Sequence, residues 1–96
     1  MERLSRHDIA RYGAALMVVV ESDLLPPDPS VVVIPLIADY PAVTRLNPVI
    51  EVEGQRLVLA TRLIGAVRRS AVTRVGSARA QAEEITRAID VLMRGV

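Results

Sequence analysis

Few side chains in this 96-residue chain have the types and spacing that enzymes use. The single histidine is His7, and cysteine is absent, which excludes thiolate nucleophiles and thiolate metal sites. A lone histidine is more often a structural or surface residue than a general base. Glu51 and Glu53 are two residues apart on a predicted strand, but alternation places such pairs on any solvated sheet face. We therefore expect no catalytic residue, no metal site and no cofactor.

Arginine is the residue type in this chain that could form a nucleic-acid surface. The chain carries 12 basic and 11 acidic residues, with a net charge of +1, and every basic residue is arginine. This balance lacks the basic excess of a dedicated nucleic-acid binder. Arg68 and Arg69 are adjacent, but neighbours on a strand point to opposite faces and do not form one patch. Arginine on an edge strand also protects against aggregation, so direct nucleic-acid binding is the minor interpretation.

The elements that must position these side chains are mostly strands. Phe and Trp are absent and the apolar residues are rich in Val, whose branched side chain favours pleated sheet. Pro26, Pro27, Pro29, Pro41 and Pro48 mark loops. Alternation, short apolar runs and turn residues predict strands at 7–12, 16–20, 31–34 up to Pro35, 48–53, 56–60 and 66–72, with Gly54 turning the hairpin.

The C-terminal segment changes period and predicts a helix. Its apolar residues recur every three or four positions, at Ile85, Ala88, Ile89, Leu92, Met93 and Val96. Ser77 is the expected N-cap, and the Asp90–Arg94 spacing supports an exposed face. Strands followed by one helix predict a single α+β domain over residues 1–96, mainly β, built as a partly open barrel.

The longest apolar run, residues 14–20, is too short to span a bilayer. Glu21 and Asp23 follow it at once, and no small-residue cleavage pattern is present, so we interpret the run as a buried strand rather than a signal peptide. With no signal and no cysteine, the expected compartment is the bacterial cytoplasm. A small aliphatic core also favours completion by a dimer.

Several short motifs, in order along the chain, resemble the CcdB toxins of bacterial toxin–antitoxin modules. The resemblance covers nearly the whole length. It rests on Glu21-Ser22-Asp23-Leu24-Leu25, Val33-Ile34-Pro35-Leu36, Leu46-Asn47-Pro48-Val49 with Gly54, Thr61, Gly76 before the helix, and the terminal Gly95-Val96.

This resemblance implies an SH3-like, partly open barrel of the CcdB/MazF type with a C-terminal helix, and a homodimer. It implies a toxin that binds the DNA gyrase A subunit, traps the cleaved-DNA complex and is neutralised by a CcdA-like antitoxin. It also implies contact with nucleic acid only through those complexes. The gyrase-binding positions, carried over from the family, are Leu24, Leu25, Asp90, Met93, Arg94, Gly95 and Val96. The best-known member has Trp, Phe and Asn where this chain has Arg94, Met93 and Asp90.

Two alternatives stay open at this point. One is an endoribonuclease toxin of the MazF or Kid type on the same fold, with His7 as the base and Arg68 or Arg69 holding phosphate. The other is a non-toxic relative that only binds an antitoxin, suggested by Arg94 in place of the family tryptophan.

Overall fold

The computed structural model describes residues 3–95. Within that range the chain forms seven strands, three one-turn 3₁₀ helices at Thr61–Leu63, Arg69–Ala71 and Arg79–Gln81, and one α-helix. The strands are β1 (Asp8–Tyr12), β2 (Ala15–Val19), β3 (Ser30–Ile37), β4 (Val49–Val52), β5 (Gln55–Leu59), β6 (Gly65–Arg68) and β7 (Thr73–Ser77), and the helix is α1 (Ala82–Arg94).

The strands form one antiparallel, curled sheet in the order β4-β5-β3-β2-β1-β7. Strand β3 is the central strand, because β2 pairs along one of its edges while β6 and then β5 pair along the other. The sheet curls into a half-barrel and α1 closes one side of it. The predicted fold class, a mainly β, partly open barrel with a C-terminal helix, is confirmed.

Pro35 lies inside β3, so the prediction that the strand stops at this residue is wrong. Pairing with β6 ends at Val33 and pairing with β5 begins at Leu36. The carbonyl of Pro35 accepts a hydrogen bond from Ala60 N–H at 2.9 Å, so its backbone edge faces this side. The donor that proline lacks is therefore missing at the point where one neighbouring strand replaces the other.

The segment from residue 66 to residue 77 also differs from the prediction. The expected strand at 66–72 is two elements, because β6 ends at Arg68 and a 3₁₀ turn follows at Arg69–Ala71. Strand β7 was not predicted, since its residues, Thr-Arg-Val-Gly-Ser, are largely exposed and give little apolar alternation. It forms because β1 offers a free edge to pair with.

Ser77 is not the N-cap of the helix. It is the last residue of β7, and its Oγ accepts a hydrogen bond from Arg79 N–H at 3.2 Å in the turn that follows. The helix begins later, at Ala82, after a 3₁₀ turn, and its N-cap residue Gln81 makes no side-chain cap bond. Gln81 instead donates from Nε2 to the carbonyl of Val49 at 2.8 Å, which ties the start of α1 to β4.

Alternation along the strands divides the buried apolar residues into two clusters on opposite faces of the sheet. The larger cluster lies under α1 and contains Ile9, Val18, Ile34, Leu36, Ile50, Val52, Leu57, Leu59, Ala78, Ile85 and Ala88. The smaller one contains Leu4, Ala10, Met17, Val19, Val31, Val33 and Val72. Both are wholly aliphatic, as the composition requires.

Two buried polar residues fasten the 40–48 segment to β5 and the turn after it. Thr61 is fully buried and its hydroxyl donates to the carbonyl of Leu46. Asn47 donates from Nδ2 to the carbonyl of Leu59 at 3.0 Å. Because buried polar groups are costly without partners, these two bonds select one packing of the segment.

No helix within residues 3–95 is long and apolar enough to cross a membrane.

Candidate functional site

Leu24 and Leu25 lie in the connection between β2 and β3, at residues 22–29, which we call the leucine loop. Leu24 is 93% exposed and Leu25 is 56% exposed. A tight turn holds them, because Leu24 N–H donates to Ser22 Oγ at 3.1 Å and Leu25 N–H donates to the Ser22 carbonyl at 3.3 Å. Two adjacent large apolar side chains presented in this way are typical of a contact surface.

The far end of the leucine loop is ordered by Asp28. Its Oδ2 accepts from Ser30 N–H at 2.9 Å and from Ser30 Oγ at 2.8 Å. The backbone N–H bond, followed by the hydroxyl bond, lowers the pKa of the Asp28 carboxyl. This Asx-type turn leads the chain into β3.

Arg69 meets the leucine loop at its base. The guanidinium Nη2 lies 3.2 Å from Glu21 Oε2 and 3.3 Å from the Ser30 carbonyl, and Nε lies 3.0 Å from the Asp28 carbonyl. Neither the Arg69–Glu21 pair nor the carbonyl bonds were predicted, because the sequence assigned Arg68 and Arg69 only to phosphate contact or to edge protection. These partners lie 39 to 48 residues from Arg69 in the sequence, so no short-range sequence pattern predicts the contacts.

The other predicted positions lie at the end of α1, at residues 90–95, which we call the helix tip. Met93 is 71% exposed. Arg94 Nη2 lies 3.5 Å from Asp90 Oδ1, one turn earlier, in an exposed ion pair. Gly95 ends the helix in the left-handed conformation, with φ 76°, and its N–H donates to the Val91 carbonyl at 2.8 Å. Val96 lies outside the described residues.

The predicted positions thus form two groups on separate elements, and one link between the elements runs through Arg6. Its backbone N–H donates to Asp23 Oδ1 at 2.8 Å, at the start of the leucine loop. Its Nη2 donates to Thr86 Oγ1 at 3.5 Å, one turn before Asp90. The N-terminal segment therefore touches both the loop and the middle of α1.

His7 lies next to this link rather than beside Arg68 and Arg69. Its φ of 74° is left-handed, its N–H donates to the Val19 carbonyl at 2.7 Å, and its carbonyl accepts from Ala78 N–H at 2.7 Å. Desolvation, with smaller effects from Arg6 and Arg79, lowers the pKa of the imidazole. Its Nε2 is buried with no hydrogen-bond partner among residues 3–95. These contacts give His7 a place in the backbone junction between β2 and the chain after β7.

The carboxylates of the β4–β5 hairpin do not form a pair on one strand face. Glu51 lies on β4, but Glu53 lies beyond it, in the turn, with φ 52°. Across residues 3–95, no three His, Asp or Glu side chains come close enough together to hold a metal ion.

Comparison with known proteins bears on the sequence resemblance directly. A search among curated proteins finds no match to this chain. A family model described as CcdB protein matches residues 5–95, which is nearly the whole chain and includes both the leucine loop and the helix tip. The half-barrel with its closing helix is compatible with the fold of that family. The chain belongs to the CcdB family of toxins from toxin–antitoxin systems.

Proposed function

We propose that this protein is a CcdB-like toxin that binds the DNA gyrase A subunit and traps the cleaved gyrase–DNA complex. The observation that supports it most is the exposure of the carried-over positions, above all Leu24 and Met93, on a loop turn and a helix end that are both held by hydrogen bonds. Apolar side chains held in water on a rigid backbone are suited to binding, because their burial against a partner gains free energy with little further ordering.

The surface proposed to contact gyrase combines the leucine loop and the helix tip. It contains Leu24, Leu25, Asp90, Met93, Arg94, Gly95 and Val96. A poison of this kind performs no chemical step itself. It binds the cleaved state of the enzyme more tightly than the resealed state, so its effect equals that difference in affinity.

Arg94 occupies the position of the family tryptophan and changes the contact expected there. Its pair with Asp90 is exposed, and exposed ion pairs are weak, so the guanidinium can leave Asp90 for a target group at little cost. A planar guanidinium can stack on an aromatic ring or bind a carboxylate with two hydrogen bonds. Met93 supplies the flexible apolar volume beside it.

Family membership supports the remaining parts of the proposal. The toxin acts as a homodimer in the bacterial cytoplasm and is neutralised by a CcdA-like antitoxin. A second copy would also bury apolar surface that a domain of this size leaves exposed.

A cleavage-complex assay with purified gyrase, supercoiled DNA and this protein tests the proposal. We expect linear DNA to accumulate after detergent and protease treatment, and supercoiling to fall. The double variant Leu24→Ala/Met93→Ala should abolish both effects. Val43→Ala is the matched control, since Val43 is 53% exposed but lies on another loop, and it should behave as the wild type.

A folded wild-type protein that leaves gyrase supercoiling and cleavage unchanged would contradict the proposal. Incubation of the same preparation with RNA addresses the ribonuclease alternative. We expect the RNA to remain intact, and cleavage that depends on His7 would support a MazF-type activity instead.

A further inference from the structure

The leucine loop is a long excursion from the sheet whose two ends meet at one side chain. Between Val19 and Ser30 the chain forms no strand or helix. Glu21 precedes the loop and Ser30 follows it, and the Arg69 guanidinium reaches both, at 3.2 Å and 3.3 Å. Loop ends held close together reduce the number of conformations that the intervening residues can adopt.

Arg69 contacts the C-terminal part of the loop in two further ways. Its Nε donates to the Asp28 carbonyl at 3.0 Å, and its backbone N–H donates to the Pro29 carbonyl at 2.7 Å. These carbonyls have no strand partner in this part of the loop, and Pro27 and Pro29 offer no N–H that could pair them locally. The 3₁₀ turn that begins at Arg69 is what brings its side chain and its backbone to the same segment.

The Glu21 carboxylate completes the arrangement. Its second oxygen, Oε1, accepts from Val32 N–H at 3.3 Å, so Glu21 connects Arg69 to β3. The Arg69 and Glu21 side chains are only 18% and 15% exposed, so salt screens this pair less than a surface pair. The wall around them also includes Leu4, Val19 and Val31 from the smaller apolar cluster.

We propose that Arg69 is a positioning residue that fixes Leu24 and Leu25 in their binding orientation from the base of the leucine loop. It acts through the loop rather than on the target, since its Nε and Nη2 are bonded to Glu21 and to loop carbonyls. A loop ordered before binding loses less conformational entropy when it binds, so the affinity for the target depends on Arg69. That the target is the gyrase A subunit rests on the proposed function.

The experiment compares Arg69→Met, Arg69→Lys and the neighbouring control Arg68→Met. Hydrogen exchange is measured over residues 20–32 and over α1, and affinity is measured for the purified gyrase A subunit. We expect Arg69→Met to speed exchange in the loop at least about tenfold while α1 stays protected, and to weaken binding about 5- to 50-fold through faster dissociation.

The two comparison variants separate positioning from charge. Arg68→Met should match the wild type in both measurements, because Arg68 is exposed and ends β6 ahead of the turn. Arg69→Lys should fall between the wild type and Arg69→Met. A lysine can pair with Glu21 but cannot reproduce the planar set of bonds to the carbonyls.

Three results overturn the inference. They are unchanged loop exchange in Arg69→Met, equal acceleration of exchange in α1 and the loop, and wild-type affinity despite a loosened loop. If Arg69→Met does not fold, Arg69→Lys and Glu21→Gln carry the same comparison. If the wild type does not bind gyrase A, the proposed function fails, while loop exchange in Arg69→Met against Arg68→Met still decides whether Arg69 orders the loop.

Discussion

The leucine loop and the helix tip expose similar apolar side chains but are held in place in different ways. The loop depends on Arg69, whose partners lie 39 to 48 residues earlier in the chain. The tip depends on bonds within one helical turn, from Gly95 N–H to the Val91 carbonyl and from Arg94 to Asp90. The loop is thus a product of the tertiary fold, whereas the tip is a product of the local sequence.

This difference has a consequence for how each region tolerates change. A substitution at the helix tip should act within the last turn, because its stabilising contacts end there. A substitution at the base of the loop should act through both ends of the loop at once. The helix as a whole nevertheless needs its buried face, where Ile85 and Ala88 join the larger apolar cluster.

The largest effect on stability is expected from a substitution in the buried face of α1, which supports the helix tip. Ile85 is fully buried, and Ile85→Ala should lower the free energy of unfolding by about 2–5 kcal/mol through lost burial and the cavity left behind. Urea denaturation measures it. Ile89→Ala, on the partly buried edge of the same cluster, should lose less. Equal losses at the two positions would show that the helix is not anchored through Ile85.

A smaller and local effect is expected at Gly95. With φ 76°, an alanine there is strained, and Gly95→Ala should destabilise the last turn by about 1 kcal/mol. Hydrogen exchange should rise at residues 91–95 and stay unchanged at residues 20–32. Gly65→Ala is the control, because the added Cβ meets only the Leu63 carbonyl, at 3.8 Å. A change in loop exchange would disprove the independence of the two regions.

A smaller, pH-dependent effect on stability is expected from His7. Its pKa is lowered from the usual 6.5, chiefly by desolvation, so the unfolded chain takes up a proton more readily than the folded protein. The contribution of His7 to the free energy of unfolding is therefore fully present above pH 6.5, and it is lost as the pH drops through the folded-state pKa. The charges of Arg6 and Arg79 lower this pKa further, and that of Asp23 raises it.

His7→Asn is the variant that tests this, because asparagine tolerates the left-handed backbone and does not titrate. Thermal melts between pH 7.5 and pH 5 should show a smaller decline in the variant than in the wild type. An identical decline in both would assign the pH dependence to other groups.

The smallest effect is expected from the ion pair at the helix tip. Asp90→Asn removes an exposed i, i+4 pair and should change the free energy of unfolding by at most a few tenths of a kcal/mol. Because the variant frees Arg94, gyrase binding should be equal to or tighter than that of the wild type. Binding weakened severalfold would indicate that the contact made at this position needs the charged carboxylate of Asp90.

Much of the fold followed from periodicity and turn residues. The Val-rich runs predicted β2 and β3, alternation around Gly54 predicted the β4–β5 hairpin, and three- and four-residue spacing predicted α1. The misses share one physical cause, which is that partner strands override local signals. Pro35 stays inside β3 because its neighbours change beside it, and the exposed residues of β7 become a strand because β1 has a free edge.

The same distinction applies to the candidate site, where some features were predictable from the sequence and others depend on the tertiary structure. The order of short motifs identified the family and, through it, the positions of the leucine loop and the helix tip. Sequence spacing alone also gave the Asp90–Arg94 pair. Nothing in the spacing indicated the contacts of Arg69, the buried Thr61 or the link from Arg6 to Thr86.

The sequence by itself determined an aliphatic, mainly β domain with an amphipathic terminal helix, because composition and periodicity act over a few residues and need no partner to be recognised. Only the tertiary structure decided how the two exposed leucines are held. The group that holds them follows β6, which pairs with β3 although the two strands are far apart in the sequence, and the turn at Arg69–Ala71 places its side chain at the base of the loop.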